Sequence, residues 1–208
     1  MNQKHFPLIE DGIVVGTGSN KYEMKNPVGR YLLYQFDQAI TELVSQINPK
    51  SILEVGCGEG HVTQILSKTN ASLHCTDISD KILDIAKSRV NYSRLSFEKK
   101  SIYDLQKATD QANLVVCCEV LEHLEHPQVG LEKLASVALP YCILSVPREP
   151  IFRTLNFLRG AYFTEFGNSP GHIQHWSRGG FIKLVKTKFE ILSVKSLLPW
   201  TVILAQTK

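Results

Sequence analysis

The spacing of apolar residues changes in a regular way along the chain. From Val28 to Ile47 they recur three and four positions apart, which predicts an amphipathic helix. Beyond this helix, short apolar runs alternate with segments of helical spacing, a pattern typical of a parallel sheet with helices on both faces. The predicted strands are 51–55, 72–76, 95–98, 113–118 and 141–146, and the predicted intervening helices are 61–68, 80–90 and 128–138.

The pattern breaks after Pro147. Residues 148–170 read as irregular, and they are followed by a predicted helix at 179–188 and strands at 189–194 and 201–206. Because only a short Leu-Pro-Trp connection joins those strands, we expect an antiparallel pair at one edge. The chain is therefore predicted to have an α/β fold, a doubly wound and mostly parallel seven-stranded sheet with an antiparallel edge pair.

We expect one domain over residues 1–208. Residues 1–48 would supply an N-terminal arm and helix, with 1–27 as a loop or arm, and 148–178 an insertion too short to build its own core. The net charge of +3 does not by itself imply a nucleic-acid or membrane partner. We see neither a transmembrane run nor a signal peptide. Five cysteines without a CxxC pair indicate reduced thiols in a cytoplasmic protein, with no disulfide or zinc site.

A glycine-rich turn follows the first predicted strand of the sheet. It reads Gly56-Cys57-Gly58-Glu59-Gly60, and Glu54 precedes it near the end of the strand. Ligands of open parallel sheets bind at the carboxyl ends of the strands, and glycines let a ligand approach the backbone. The GxGxG spacing differs from the GxGxxG of dehydrogenases, and an anion at Glu54 disfavours a pyrophosphate. A ligand with an ammonium and a sulfonium suits the Glu54 carboxylate better. The glycine spacing and Glu54 together therefore argue against a nicotinamide-dependent oxidoreductase.

The segment ILEVGCGEG resembles the first motif of the class I S-adenosylmethionine-dependent methyltransferases, and the resemblance extends over roughly residues 51–146. It implies a Rossmann-like methyltransferase fold with S-adenosyl-L-methionine as cofactor. It further implies that Glu54 and the 56–58 turn line the methionine end, that Asp77 binds the ribose, and that Ile78 lies beside the adenine. Ser101 stands where many relatives carry Asp, so a backbone contact at Ile102 is the safer expectation there. Tyr22 resembles a tyrosine that covers the cofactor.

Ionisable residues are dense after the fourth strand, where Glu119-x-x-Glu122-His123 resembles the family's fourth motif. The resemblance implies that Glu119 faces the cofactor. His123 and His172 are our candidates for a general base, because imidazole titrates near neutral pH. We assign no metal ligand. A divalent metal on Glu119, Glu122 and His123, completed by His172 or His175, stays open, because enzymes that methylate the 2′-hydroxyl of small RNAs look similar here.

The predicted function is transfer of a methyl group from S-adenosylmethionine to an acceptor, with a hydroxyl of a small molecule favoured. The alternatives are a metal-dependent 2′-O-ribose methyltransferase acting on RNA, which the absence of a Lys and Arg cluster with interleaved aromatics opposes, and a non-catalytic cofactor-binding partner subunit. We expect no membrane partner, and the oligomeric state is open. The 148–178 insertion is expected to receive the acceptor. Its aromatic residues are Phe152, Phe157, Tyr162, Phe163, Phe166 and Trp176.

Overall fold

The computed structural model describes residues 8–10, 13–16, 26–158, 166–169 and 171–208. The strands are β1 (Leu8–Glu10), β2 (Ile13–Val15), β3 (Ser51–Val55), β4 (Ser72–Asp77), β5 (Leu95–Lys99), β6 (Ala112–Cys118), β7 (Ala138–Pro147), β8 (Phe189–Leu197) and β9 (Trp200–Thr207). The helices are α1 (Pro27–Ile47), α2 (His61–Leu66), α3 (Asp80–Arg89), α4 (Pro127–Val137), α5 (Ile151–Leu158) and α6 (Arg178–Val185). Short 3-10 helices lie at Ile102–Asp104 and Leu121–His123.

Seven strands form one sheet in the order β5-β4-β3-β6-β7-β9-β8. The pairs from β5 to β7 are parallel, whereas β9 is antiparallel to both β7 and β8. The predicted doubly wound sheet with an antiparallel edge pair is confirmed. The chain runs outward from β3 to β5 and then returns to the other side of β3. The carboxyl ends of β3 and β6 therefore flank the crevice where such sheets bind ligands.

Alternating residues of the strands face two separate halves of the core. On β6, Val115 and Cys117 pack in the cluster with α4 and α6, while Leu114 and Val116 pack in the cluster with α1, α2 and α3. This two-residue period explains why the 113–118 segment is apolar throughout. Cys117 and Cys118 lie on β6, as expected, and all five cysteines of the chain are free thiols.

Polar side chains fix the starts of several helices. The Asn26 side chain accepts a hydrogen bond from Val28 N ahead of Pro27, Ser79 accepts one from Ile82 N, and Ser177 accepts one from Gly180 N. Each satisfies an amide that has no partner inside its helix. Among the helices that the structure describes, none combines the length and apolar composition that crossing a bilayer requires.

Two expectations about irregular segments were wrong. Residues 8–10 and 13–15, predicted within a loop or arm, pair as the antiparallel strands β1 and β2. Within 148–170, read as irregular, Ile151–Leu158 forms helix α5. The prolines and glycines on either side of α5 obscured an apolar spacing of four and three positions at Ile151, Leu155 and Leu158.

Candidate active site

The turn after β3 is folded tightly by backbone hydrogen bonds to the neighbouring strand. Gly56 N and Cys57 N both donate to Thr76 O, at 2.8 and 3.0 Å. Gly56 has φ +73°, and a Cβ built on it would lie 2.3 Å from Val120 Cγ2, so a side chain fits neither the backbone nor the space. Gly58 also has positive φ, but a Cβ there would meet nothing within 4 Å. Open space therefore lies in front of Gly58, where a ligand can approach the backbone.

Asp77, at the carboxyl end of β4, is tied to that turn. Its Oδ2 accepts a hydrogen bond from Gly58 N at 3.0 Å, and its Oδ1 accepts one from Ser79 N at 3.1 Å. Burial raises the pKa of Asp77, and these backbone donors oppose the rise. A carboxylate has about four acceptor sites, so Asp77 can still accept a further donor such as a hydroxyl. Ile78 beside it is 41% exposed, an apolar surface at the edge of the crevice.

The N-terminal strand pair reaches the same edge. Glu10 Oε2 accepts a hydrogen bond from Ser79 Oγ, and a Cβ built on Gly16 would lie 2.9 Å from Glu59 Oε1. Ser79 thus caps α3 and anchors the strand pair at once. Tyr22, which resembles a cofactor-covering tyrosine, lies outside the described residues.

Glu54 is a buried carboxylate at the base of the crevice. It is only 3% exposed, and its Oε2 accepts hydrogen bonds from Thr63 Oγ1 at 2.7 Å and Cys75 Sγ at 3.1 Å. Burial raises the pKa of Glu54 to about 7, although the two hydrogen bonds act in the opposite direction. A cationic ligand nearby would favour its ionised form.

Ser101 and Ile102 follow β5, and the structure shows both of them contacting other parts of the protein. The Ser101 hydroxyl accepts a hydrogen bond from Tyr103 N at 3.3 Å, capping the 3-10 helix. The Ile102 side chain is 4% exposed and packs in the core with α4. Of Ile102, the geometry therefore leaves only the backbone for the predicted adenine contact.

Glu119, immediately after β6, adopts a left-handed backbone with φ +60°. Its Oε1 accepts a hydrogen bond from Ser145 Oγ, and its Oε2 accepts one from Trp200 Nε1, both at 2.8 Å. The next residue, Val120, packs against Gly56. Sequence reasoning missed Ser145 and Trp200, because nothing local to either residue indicates a contact 26 or 81 positions away.

Glu122, His123 and His172 form a separate cluster beyond Glu119. One ligand-type atom from each lies within 4.8 Å of the others. The His123 and His172 rings meet edge to face at 4.8 Å between centroids, and Phe152 stacks on His172 at 5.5 Å. The 171–174 segment is docked here by two bonds to the Glu122 carbonyl, from Ile173 N and Gln174 N. The structure therefore brings together three of the residues considered for a metal, Glu122, His123 and His172, and with them both candidates for the general base.

His123 has a defined orientation. Its Nδ1 lies 2.9 Å from Gly171 O. A carbonyl oxygen only accepts hydrogen bonds, so Nδ1 of a neutral His123 must carry the proton and Nε2 must be the basic nitrogen. An imidazole in this state can remove a proton or bind a cation through Nε2.

The other described candidates in the insertion make contacts of their own. His175 Nε2 is 2.9 Å from Asn168 Oδ1, and the Trp176 ring packs against Phe181. Phe157 and Phe166 are 38% and 75% exposed. Tyr162 and Phe163 lie outside the described residues.

Known proteins resemble the chain over this same framework. Residues 52–140 match a family described as "Methyltransferase domain". A ubiquinone biosynthesis O-methyltransferase of Coxiella burnetii is 26% identical over 178 residues, which cover 77% of this chain and 71% of that protein. These similarities support the class I S-adenosylmethionine-dependent methyltransferase family that the glycine-rich motif resembles.

Solved structures share the fold of this methyltransferase. Magnesium protoporphyrin IX methyltransferase from Synechocystis, with bound S-adenosylhomocysteine, aligns with a TM-score of 0.69 at 18% identity over 89% of each chain. An N-methyltransferase from Bradyrhizobium japonicum in complex with S-adenosylhomocysteine gives a TM-score of 0.68 at 16% identity, covering 88% of this chain and 89% of the other.

The crevice of the methyltransferase fits its family's cofactor. Open space faces Gly58, the Asp77 carboxylate can accept from a diol, and Ile78 offers an apolar surface. Buried Glu54 precedes the glycine turn and Glu119 precedes Val120, which packs against Gly56, so two carboxyl groups flank the turn in a way that favours a ligand carrying an ammonium and a sulfonium.

Proposed function

We propose that this methyltransferase transfers the methyl group to a hydroxyl of a small molecule, with His123 as the general base. The observation that carries the proposal is the bond between His123 Nδ1 and Gly171 O, which leaves Nε2 as the proton acceptor. The ring stands after β6, on the same rim as Glu119 and the glycine turn. The relative from Coxiella burnetii, named an O-methyltransferase, supports an oxygen acceptor.

The cofactor supplies an electrophilic methyl group on a sulfonium, and the protein's own residues do the rest. In the proposal, Asp77 holds the ribose, Ile78 borders the adenine, and Glu54, Glu119 and the Gly56–Gly58 turn hold the methionine end. His123 Nε2 would accept the proton of the acceptor hydroxyl while the methyl group passes from sulfur to oxygen and leaves S-adenosylhomocysteine, and His172 stacked on Phe152 would border the acceptor. Alignment of the reactants contributes about 7–11 kcal/mol toward lowering the barrier.

The acceptor class is tested with a panel of small phenols, aliphatic alcohols and matched amines, by identifying the methylated product by mass spectrometry. We expect methyl ethers. His123→Gln should lower kcat about 100-fold and flatten its dependence on pH near neutrality, while the affinity for S-adenosylhomocysteine stays at the wild-type value. Methylated amines as the only products, or full activity in His123→Gln, would overturn the proposal.

A second role for the same cluster is favoured by one geometric observation. Glu122, His123 and His172 also present a carboxylate and two imidazoles at metal-ligand spacing, with His123 Nδ1 fixed by a carbonyl as in many metal-bound histidines. Treatment with a chelator distinguishes the roles. The base role predicts unchanged activity, whereas loss of activity that Mn²⁺ or Zn²⁺ restores would assign the cluster to a metal instead.

We also propose that the protein works in a reducing compartment such as the cytoplasm. All five cysteines are free thiols, and four of them are buried. Cell fractionation tests this directly, and recovery of the protein from an oxidising compartment would contradict it.

A further inference from the structure

Trp200 lies at the active-site rim although it comes from the far end of the chain. It opens β9, and the register of the sheet pairs it with Pro147, the last residue of β7. From there its indole Nε1 donates to Glu119 Oε2 at 2.8 Å, and its ring packs on Phe36 of α1 at 5.1 Å between centroids. Because β9 lies antiparallel to β7, its first residue places an indole donor beside the end of β6.

Ser145 provides the second support for the same carboxylate. It lies opposite Cys118 in the β6–β7 register and is fully buried. Its hydroxyl donates to Glu119 Oε1 at 2.8 Å, and its carbonyl accepts from Glu119 N at 3.0 Å. Each carboxylate oxygen therefore receives one donor from a side chain set on a strand, which suits the ionised form.

The backbone at Glu119 is held in an unusual state. A left-handed φ of +60° is energetically unfavourable in a residue other than glycine, and such residues cluster at functional sites. Straightening that backbone would also move Val120, which packs over Gly56 of the cofactor turn. The carboxylate is thus fixed beside the turn by its own backbone and by two donors.

We propose that Trp200 and Ser145 are positioning residues, which hold the Glu119 carboxylate toward the cationic methionine part of the cofactor. The inference rests on the cofactor role proposed for Glu119 and is independent of the acceptor. Neither Trp200 nor Ser145 needs to touch the cofactor, because both act through Glu119.

Calorimetry with two ligands tests the proposal. S-adenosylhomocysteine carries the amino-acid part, whereas 5′-methylthioadenosine keeps the adenosine and lacks it. We expect Trp200→Phe and Ser145→Ala each to weaken S-adenosylhomocysteine binding about tenfold and to leave 5′-methylthioadenosine binding unchanged. Equal losses for the two ligands would overturn the proposal, because they would reveal general damage to the pocket.

A double-mutant cycle tests whether the effect of Trp200 on cofactor affinity depends on Glu119, which a merely structural role would not require. In a Glu119→Gln background, Trp200→Phe should cause no further loss of affinity, because its effect passes through the carboxylate. The same tenfold loss in that background would overturn the proposal. Trp176→Phe, which removes the chain's other indole, serves as the matched control, since Trp176 packs on Phe181.

Thermal unfolding checks that each variant is folded, and Ser145→Ala supplies the test if Trp200→Phe does not fold. Wild-type binding of S-adenosylhomocysteine, measured in the same series, tests cofactor use itself. A failure of the positioning proposal is therefore distinguishable from a failure of the cofactor assignment.

Discussion

The two halves of the active-site rim are assembled in different ways. Around the glycine turn, contacts join residues close in sequence: Glu54 to Thr63 over 9 positions and Gly58 to Asp77 over 19. Around Glu119 and His123, contacts span longer separations, 81 positions to Trp200 and 48 to Gly171. The cofactor half around the glycine turn is thus built within one β-α-β unit, whereas Glu119 and the acceptor half around His123 depend on the remainder of the chain folding against that unit.

This difference predicts that the halves can be perturbed separately. Changes around the glycine turn should alter affinity for S-adenosylhomocysteine or the stability of the framework. Changes around His172 should alter turnover alone.

The largest effect is expected at Gly56 in the cofactor half. Gly56→Ala must adopt φ +73° and push its Cβ against Val120 Cγ2, so we expect the free energy of unfolding to fall by about 4 kcal/mol. Gly58→Ala is the matched control, with φ +53° and open space, and it should lose only about 1 kcal/mol. Urea denaturation measures both. Equal destabilisation of the two variants would contradict the close approach at Gly56.

The buried carboxylate Glu54 should make stability depend on pH. Its pKa of about 7 means that the folded protein retains a proton which the unfolded chain releases near pH 4.5. The free energy of unfolding should therefore fall by about 3 kcal/mol as the pH rises from 4.5 through 7, and Glu54→Gln should remove that fall. Denaturation at several pH values measures it.

Glu132→Gln provides the control for that series. Glu132 is an exposed carboxylate on α4, so this variant should keep the wild-type slope. Parallel pH profiles for the wild type and Glu54→Gln would show that Glu54 does not hold the proton. Ligand affinity should change with pH in the opposite direction to stability. The affinity for S-adenosylhomocysteine should rise up to about pH 7, because Glu54 ionises over that range.

In the acceptor half, His172→Ala should lower kcat about tenfold, because His172 packs edge to face against the proposed base. Affinity for S-adenosylhomocysteine should not change. Steady-state kinetics and calorimetry together measure the separation. His126→Ala, an exposed residue before α4, is the control. A matching loss of cofactor affinity in His172→Ala would show that the halves are not independent.

The smallest effect is expected at Ser101. Ser101→Ala removes the acceptor that caps the 3-10 helix, so we expect a loss of about 0.5 kcal/mol in the free energy of unfolding and unchanged cofactor affinity. Ser101→Asp can keep the cap and add the carboxylate that many relatives carry, so it should bind S-adenosylhomocysteine a few-fold more tightly. Weaker cofactor binding by Ser101→Ala would mean that the hydroxyl already serves the ligand.

The same contrast explains how much the sequence predicts. The strand and helix order over 51–146 and the glycine turn depend on local periodicity and spacing, and the structure agrees with them. The support of Glu119 depends on the register of β7 with β9, which is set only when the sheet assembles. A single domain, and the roles assigned to the site residues, stay predictions.

The position of β9 between β7 and β8 also bears on how the molecule matures. During synthesis β8 emerges before β9, so β7 lacks its antiparallel partner until β9 arrives. That closing strand also carries Trp200 to Glu119. Completion of the sheet and completion of the pocket are therefore one event, and a chain stalled before residue 200 would hold the glycine turn but lack the full support of Glu119.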